Sequence, residues 1–286
     1  MNQDPPRLAV VGAGTMGRGI AHVAALTGHR VALHDSFPGA LEKARAQIEA
    51  DLETGIKKGK ITEEDRMRAL DHLRLEPDLA GAARDADVVV EAIVEDLDKK
   101  SGLFRTLDRL APAGAVLASN TSSLPVAKIA GSTARPDRVV GMHFFNPVHI
   151  MKLVEVVVHP GTSDGARERV VDLARRMGKT AIIVKDSPGF ATSRLGVILG
   201  LEAMRMLEQG VASAEDIDRA MELGYNHPMG PLKLTDLVGL DVRLAIADHL
   251  HRELKEDQYR APDILRRKVD AGELGKKTKK GFYVWE

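Results

Sequence analysis

Residues 7–35 constrain the fold more than any other part of the chain. A short apolar strand over residues 7–11 runs directly into Gly12, Ala13, Gly14, Thr15, Met16 and Gly17. A helical pattern of Ile20, Val23 and Ala24 follows, Gly28-His29 breaks it, and residues 30–34 read as a second strand ending at Asp35. A GxGxxG turn alone is a weak signal. Between a strand and a helix, with an acid about 20 residues on, it is a strong one. The glycines permit the tight turn, the approach of a pyrophosphate to backbone, and close helix–strand packing. The new helix N-terminus attracts phosphate. An acid at Asp35 suits two ribose hydroxyls and repels a 2′-phosphate, which predicts NAD rather than NADP; Ser36 follows, with no arginine nearby to accept that phosphate.

About fifty residues separate Asp35 from the next long apolar strand at residues 87–93, more than a crossover requires. The excess reads as two amphipathic helices. One covers residues 38–57, with Leu41, Ala44, Ile48 and Leu52 on one face; the other runs from Thr62 to about Leu73 behind an acid-rich start. The turn between them carries Lys57, Lys58 and Lys60. Lysines at a helix end are commonly just solvated. A helical hairpin with a basic tip also suits a large phosphorylated substrate. Further strands are expected at residues 73–75, 88–92, 116–119, 139–143, 152–158 and 180–184. After residues 120–123, Ser122 and Ser123 stand where an N-cap is expected, and the hydroxyl not used for capping lies at the carboxyl end of the sheet.

Glu155 is the odd residue of its strand. Its neighbours are Leu153, Val154, Val156, Val157 and Val158, so the strand reads as buried on both faces. A carboxylate there costs several kcal/mol in order of magnitude unless it has a partner. The nearest candidate is His143, at the end of the preceding strand. A histidine held by a buried carboxylate is an oriented base, with its tautomer fixed and its imidazolium stabilised. The competing reading is a core histidine and a structural ion pair elsewhere.

Past residues 185–189 the pattern becomes helical almost throughout: residues 190–209, 213–223, 230–254 and 261–271. The expected organisation is an α/β Rossmann-type, mostly parallel sheet with a helical-hairpin insertion over residues 1–187, followed by an all-α domain over 188–286. Lysine plus arginine (41) and aspartate plus glutamate (41) balance, which excludes a polyanion-binding protein as the default and gives no reason to expect nucleic acid. No apolar run is long enough to span a bilayer. The opening MNQDPPR reads as neither signal nor transit peptide, so a cytoplasmic location is expected. With no cysteine there is no thiol nucleophile and no cysteine-based metal site, and no metal is expected.

The motifs GAGTMG, EAIVED, SNTSSL, HFFNP, KLVEVV, DSPGF and GKKTKKGFYVW, with NHPMGPLKLTDLVGLD between the last two, together resemble the short-chain L-3-hydroxyacyl-CoA dehydrogenases, including bacterial 3-hydroxybutyryl-CoA dehydrogenases. The resemblance covers the chain from about Arg7 to Trp285. It implies His143 as general base, Glu155 as its partner, and Ser122 as the serine that contacts the substrate oxygen beside the nicotinamide. It implies cofactor contacts at Asn146, Glu95, Lys100 and Lys277, a coenzyme A contact at Lys58, an acyl-CoA substrate of fatty-acid metabolism, and a homodimer formed through the helical domain. One motif departs. The family pattern DTPGFxxNR reads DSPGFATSR here, so Ser193 replaces an asparagine implicated in the active site. Two alternatives stay open: an NAD dehydrogenase of a free hydroxy acid of the gulonate type, whose substrate leaves the basic turn without a ligand, and a non-catalytic NAD-binding protein like the crystallins related to this family.

Overall fold

The computed structural model describes residues 5–286, so the first four residues of the polar opening lie outside it. The chain divides into two compact units, one ending at Asp186 and one spanning Ser187–Glu286.

The first unit is built on one sheet of eight strands: β1 (Leu8–Val11), β2 (Val31–His34), β3 (Leu73–Leu75), β4 (Val88–Glu91), β5 (Val116–Ser119), β6 (Val139–Phe144), β7 (Leu153–Val158) and β8 (Thr180–Lys185). They lie in the order β3-β2-β1-β4-β5-β6-β7-β8. Every pairing is parallel except β6 with β7, which is antiparallel. Strands β1, β4 and β6 are buried along their whole length. Such apolar runs have a low-energy place only in a sheet covered on both faces. The order reverses between β1 and β4, and that switch point opens a crevice beyond the strands' carboxyl ends.

Helix α1 (Thr15–Leu26) returns the chain from β1 to β2. The insertion is the expected hairpin: α2 (Ala40–Lys57) buries Leu41, Ala44, Ile48 and Leu52, the face its periodicity gave. Leu52 is wholly buried. Truncating a leucine in such a place to alanine typically costs about 2–5 kcal/mol. Helix α3 (Glu63–His72) starts from a reciprocal capping box between Thr62 and Asp65. The short helix α4 (Leu79–Ala83), then α5 (Leu97–Leu110), α6 (Val126–Ala130) and α7 (Asp164–Arg176), complete the layers.

The second unit is helical: α8 (Thr192–Glu208), α9 (Ala214–Gly224), α10 (Pro231–Val238), α11 (Leu240–Leu254) and α12 (Asp263–Asp270). Val197, Leu201, Met204, Leu232, Leu240, Ala247, Leu250 and Leu265 form its core. The single helix expected over residues 230–254 is two helices. Gly239 adopts φ +103°, a backbone state closed to side-chain-bearing residues, and the chain turns there. Two buried aspartates organise the rest. Asp218 accepts the N–H groups of Leu232 (2.8 Å) and Lys233 (2.9 Å), capping α10. Asp236 accepts from the Phe282 and Tyr283 N–H groups and from the Trp285 indole N–H at 2.8–2.9 Å, anchoring the C-terminal segment. Among the described residues no helix is long and apolar enough to cross a membrane.

Candidate active site

The glycine turn forms a cradle shaped by close approach. A Cβ on Gly12 would lie 2.6 Å from the Ala92 carbonyl oxygen, and one on Gly17 would lie 1.7 Å from that of Gly12. Both positions therefore require glycine for packing β1, α1 and β4 together. Gly14 differs: a Cβ there would meet nothing within 4 Å, so its backbone faces open space. It is also the N-cap of α1, and no side chain caps that terminus. The first amides of α1 are thus available to an anionic group, and the helix dipole favours one. Ala13 donates its N–H to the Asp35 carboxylate at 2.6 Å, and Phe37 N–H bonds the other oxygen at 2.9 Å. The loop and the acid at the end of β2 are held as one piece. An exposed-backbone turn, an uncapped helix and an acid fixed beside them fit a dinucleotide.

Beyond the strand ends lies a cavity of about 360 Å³, lined by Met16, Glu95, Ser122, His143, Phe145 and Asn146 among others. His143 is buried in its wall. In the antiparallel β6–β7 pair His143 stands directly opposite Glu155, whose side chain is wholly buried. The His143 Nδ1 to Glu155 Oε2 distance is 2.7 Å. The carboxylate sets the tautomer: with Nδ1–H donated to Glu155, Nε2 carries the lone pair. Phe145 packs its ring 4.5 Å from that of His143 and limits water there, while Phe144 is core. Asn146 is exposed at the cavity rim.

Glu95 draws the second side of the cavity together. Its Oε1 accepts from the Thr121 hydroxyl (2.6 Å), the Ser122 N–H (2.9 Å) and, more weakly, the Ser122 and Ser123 hydroxyls (each 3.3 Å). Burial alone would raise its carboxyl group; the Thr121 hydroxyl, the Lys100 ammonium and the Ser122 N–H outweigh that and hold it below the usual glutamate range. Neither serine caps α6, contrary to expectation. The Leu124 N–H goes to the Thr121 hydroxyl (2.8 Å), and the Ala127 N–H goes to Asp186 (2.7 Å). Both hydroxyls are drawn instead to Glu95.

Lys100 is not on the cavity surface: it is 1 % exposed and bonds Glu91 Oε1 at 2.5 Å. Glu91 is itself fully buried and also accepts from the Ile93 N–H (2.7 Å) and the Ser119 hydroxyl (2.6 Å). Lys100 lies 3.4 Å from Glu95 Oε2, so its ammonium faces the cavity only through that carboxylate. Sequence reasoning missed Glu91. The available signal was a carboxylate closing an otherwise apolar strand, the same signal that singled out Glu155.

The other expected site residues lie elsewhere. Lys58 is exposed at the hairpin tip, beside Gly59 at φ +64°. In the helical unit, Lys277 forms a forked ion pair with Asp241, both distances 2.6 Å, and Ser193 is the second residue of α8.

Residues 7–187 match the family model for the 3-hydroxyacyl-CoA dehydrogenase NAD binding domain, and residues 189–285 match that for the 3-hydroxyacyl-CoA dehydrogenase C-terminal domain. A probable 3-hydroxybutyryl-CoA dehydrogenase of Bacillus subtilis is 45% identical over 280 residues, covering 98% of this chain and 97% of that protein. The human mitochondrial hydroxyacyl-coenzyme A dehydrogenase is 44% identical, covering 98% and 91%. The crystal structure of (S)-3-hydroxybutyryl-CoA dehydrogenase from Ralstonia eutropha superposes with a TM-score of 0.95 at 40% identity, covering 99% of each chain.

Proposed function

The chain belongs to the 3-hydroxyacyl-CoA dehydrogenase family and is an NAD-dependent enzyme of that class; we propose that its substrate is the four-carbon L-3-hydroxybutyryl-CoA, oxidised reversibly to acetoacetyl-CoA. The observation that carries the chemistry is the His143–Glu155 pair at 2.7 Å in the wall of a cavity that Ser122 also lines. His143 Nε2 takes the proton of the C3 hydroxyl as the C3–H bond breaks, and Glu155 stabilises the resulting imidazolium. NAD, when bound, supplies the hydride acceptor. In the reverse direction the imidazolium returns its proton to the C3 oxygen. A base of this kind contributes about 10²–10⁴-fold. Ser122 holds the C3 oxygen in line with His143, its hydroxyl donating there in exchange for Glu95.

Gly12, Ala13, Gly14, Thr15, Met16 and Gly17 would hold the pyrophosphate, Asp35 the adenosine ribose, and Glu95 and Asn146 the nicotinamide side. Lys100 serves that side through Glu95, as the cation that fixes its carboxylate. The family resemblance assigns a cofactor contact to Lys277 as well. Lys58 meets the coenzyme A phosphates from the hairpin tip. Leu195, Leu199, Leu234, Leu237, Val238 and Val242 form large exposed apolar positions on α8, α10 and α11, more than a monomer commonly leaves to water. They support a homodimer through the helical unit, which light scattering at micromolar protein checks. The cytoplasm is the proposed location.

The test compares NADH oxidation with acetoacetyl-CoA and with free acetoacetate. Turnover of the thioester alone is expected, with KM for acetoacetyl-CoA raised in Lys58→Ala. Equal turnover of the free acid would favour the gulonate-type reading. Turnover of neither would favour a non-catalytic NAD-binding protein.

A further inference from the structure

Outside the active-site cavity, three residues far apart in sequence converge. His22 lies on α1, Asp51 on α2, and His149 in the loop after β6, three residues past Asn146. One ligand atom from each lies within 4.8 Å of the others. We propose that His22, Asp51 and His149 form a site for a divalent first-row transition ion of the zinc type, one that ties α1, the hairpin and this loop together.

The donor set argues for that class. Two imidazoles and one carboxylate suit zinc, nickel or cobalt, whereas magnesium and calcium take oxygen ligands and waters. Three protein ligands leave a fourth position for water in a tetrahedral shell. His22 is 4 % exposed, and its Nδ1 is a buried nitrogen with no hydrogen-bond partner. Buried polar atoms without partners are uncommon, and a ligand role accounts for this one. The His22 and His149 rings lie 5.9 Å apart at 30°, side by side rather than turned away. Asp51 gives one oxygen to Gln47 at 2.9 Å and keeps the other for the ion.

Bonds of about 2.0–2.1 Å place tetrahedral donors about 3.4 Å apart, so the present cluster, with its ligand atoms within 4.8 Å of one another, must tighten by up to about 1.4 Å. His22 is fixed by packing, but Asp51 is half-buried and His149 exposed, and both can close by rotating about their own side-chain bonds. The Lys179 ammonium, held by the Val148 and Met151 carbonyls, is the neighbouring cation; the Asp51 carboxylate offsets it.

The experiment titrates EDTA-treated full-length protein with zinc chloride by calorimetry, with cobalt chloride to report geometry through its visible spectrum. Expected are one zinc per chain, tetrahedral cobalt bands, and a higher melting temperature. His149→Ala and Asp51→Asn should each lose at least the roughly 10–100-fold in affinity that even an outer-shell partner is worth, along with the melting shift. Both changes are at accessible positions, so a folded variant is expected, and circular dichroism checks it. Zinc binding unchanged in His149→Ala would place the ion at other histidines and overturn the proposal. So would the absence of zinc uptake by the parent protein, or uptake of magnesium at equal affinity.

Discussion

Glu155→Gln isolates the charge of the dyad from its geometry. Glutamine keeps the length of the side chain and an acceptor oxygen for the His143 Nδ1–H, so the tautomer and the ring position survive. What is lost is the attraction between carboxylate and imidazolium. The 2.7 Å contact puts the two charge centres about 4 Å apart, and an effective dielectric of about 20 gives roughly 4 kcal/mol for the full charges. If the proton is half transferred in the transition state, about 2 kcal/mol is lost; if fully, about 4. The expected fall in kcat is therefore roughly 30- to 1000-fold. The assay is NADH oxidation with acetoacetyl-CoA under saturating conditions, beside NADH binding by fluorescence, which should not change. His143→Gln should be slower by about 10²–10⁴-fold, and the double variant no slower than His143→Gln alone, because the two residues act as a unit. A Glu155→Gln enzyme that keeps the parental kcat across the pH range would refute the reasoning.

Asp35 should make NADH preferred over NADPH by at least about tenfold in kcat/KM, some 1.4 kcal/mol; equal efficiency with both cofactors would dismiss its role. Ser193→Asn should change turnover by no more than roughly tenfold, because a water can bridge where the shorter hydroxyl falls short; an inactive parent rescued by this substitution would mark a repurposed protein. The Glu95 carboxyl sits below its unfolded value, so its contribution to stability is present above the usual glutamate range of about 4.3 and is lost as pH falls through the folded value. Urea midpoints measured from neutral pH downward should thus drop less steeply in Glu95→Gln than in the parent, and parallel curves would contradict this.

The sequence made the α/β fold and its NAD-binding domain legible because their signals are local in it. Strand, glycine turn, helix and acid occupy residues 7–35 without a gap, and the hairpin's buried face follows one helical period. The His143–Glu155 pair was legible only as a nearest candidate, a histidine one loop before a carboxylate in an apolar strand; the antiparallel register that sets the two opposite each other came from the structure. Glu91, Lys100 and Ser119 were not. Their contact depends on parallel pairing of β4 with β5, whose register no local pattern fixes. Lys100 in a helix and Glu91 at a strand end each look ordinary alone. The break at Gly239 escaped because a glycine inside an apolar helical period permits a turn without requiring one.

The two buried carboxylates beside the cavity divide the electrostatic work. Glu91 faces a lysine in a closed site, and the two form a buried ion pair. Removing either partner leaves an uncompensated buried charge, which is the costly outcome, so this pair sets the geometry of the strand end, and Lys100 joins the Thr121 hydroxyl in favouring the ionised form of Glu95. Glu155 faces a group whose charge changes. On the proposed mechanism, a wholly buried carboxylate gains when the imidazole beside it takes up the proton of the C3 hydroxyl. The sheet holds the carboxylate in place beforehand, so the attraction grows along the reaction coordinate without reorganisation. Exchanging the partners' character should then separate the two pairs. Lys100→Met should weaken folding and cofactor binding together, whereas Glu155→Gln should spare both and slow only the proton transfer.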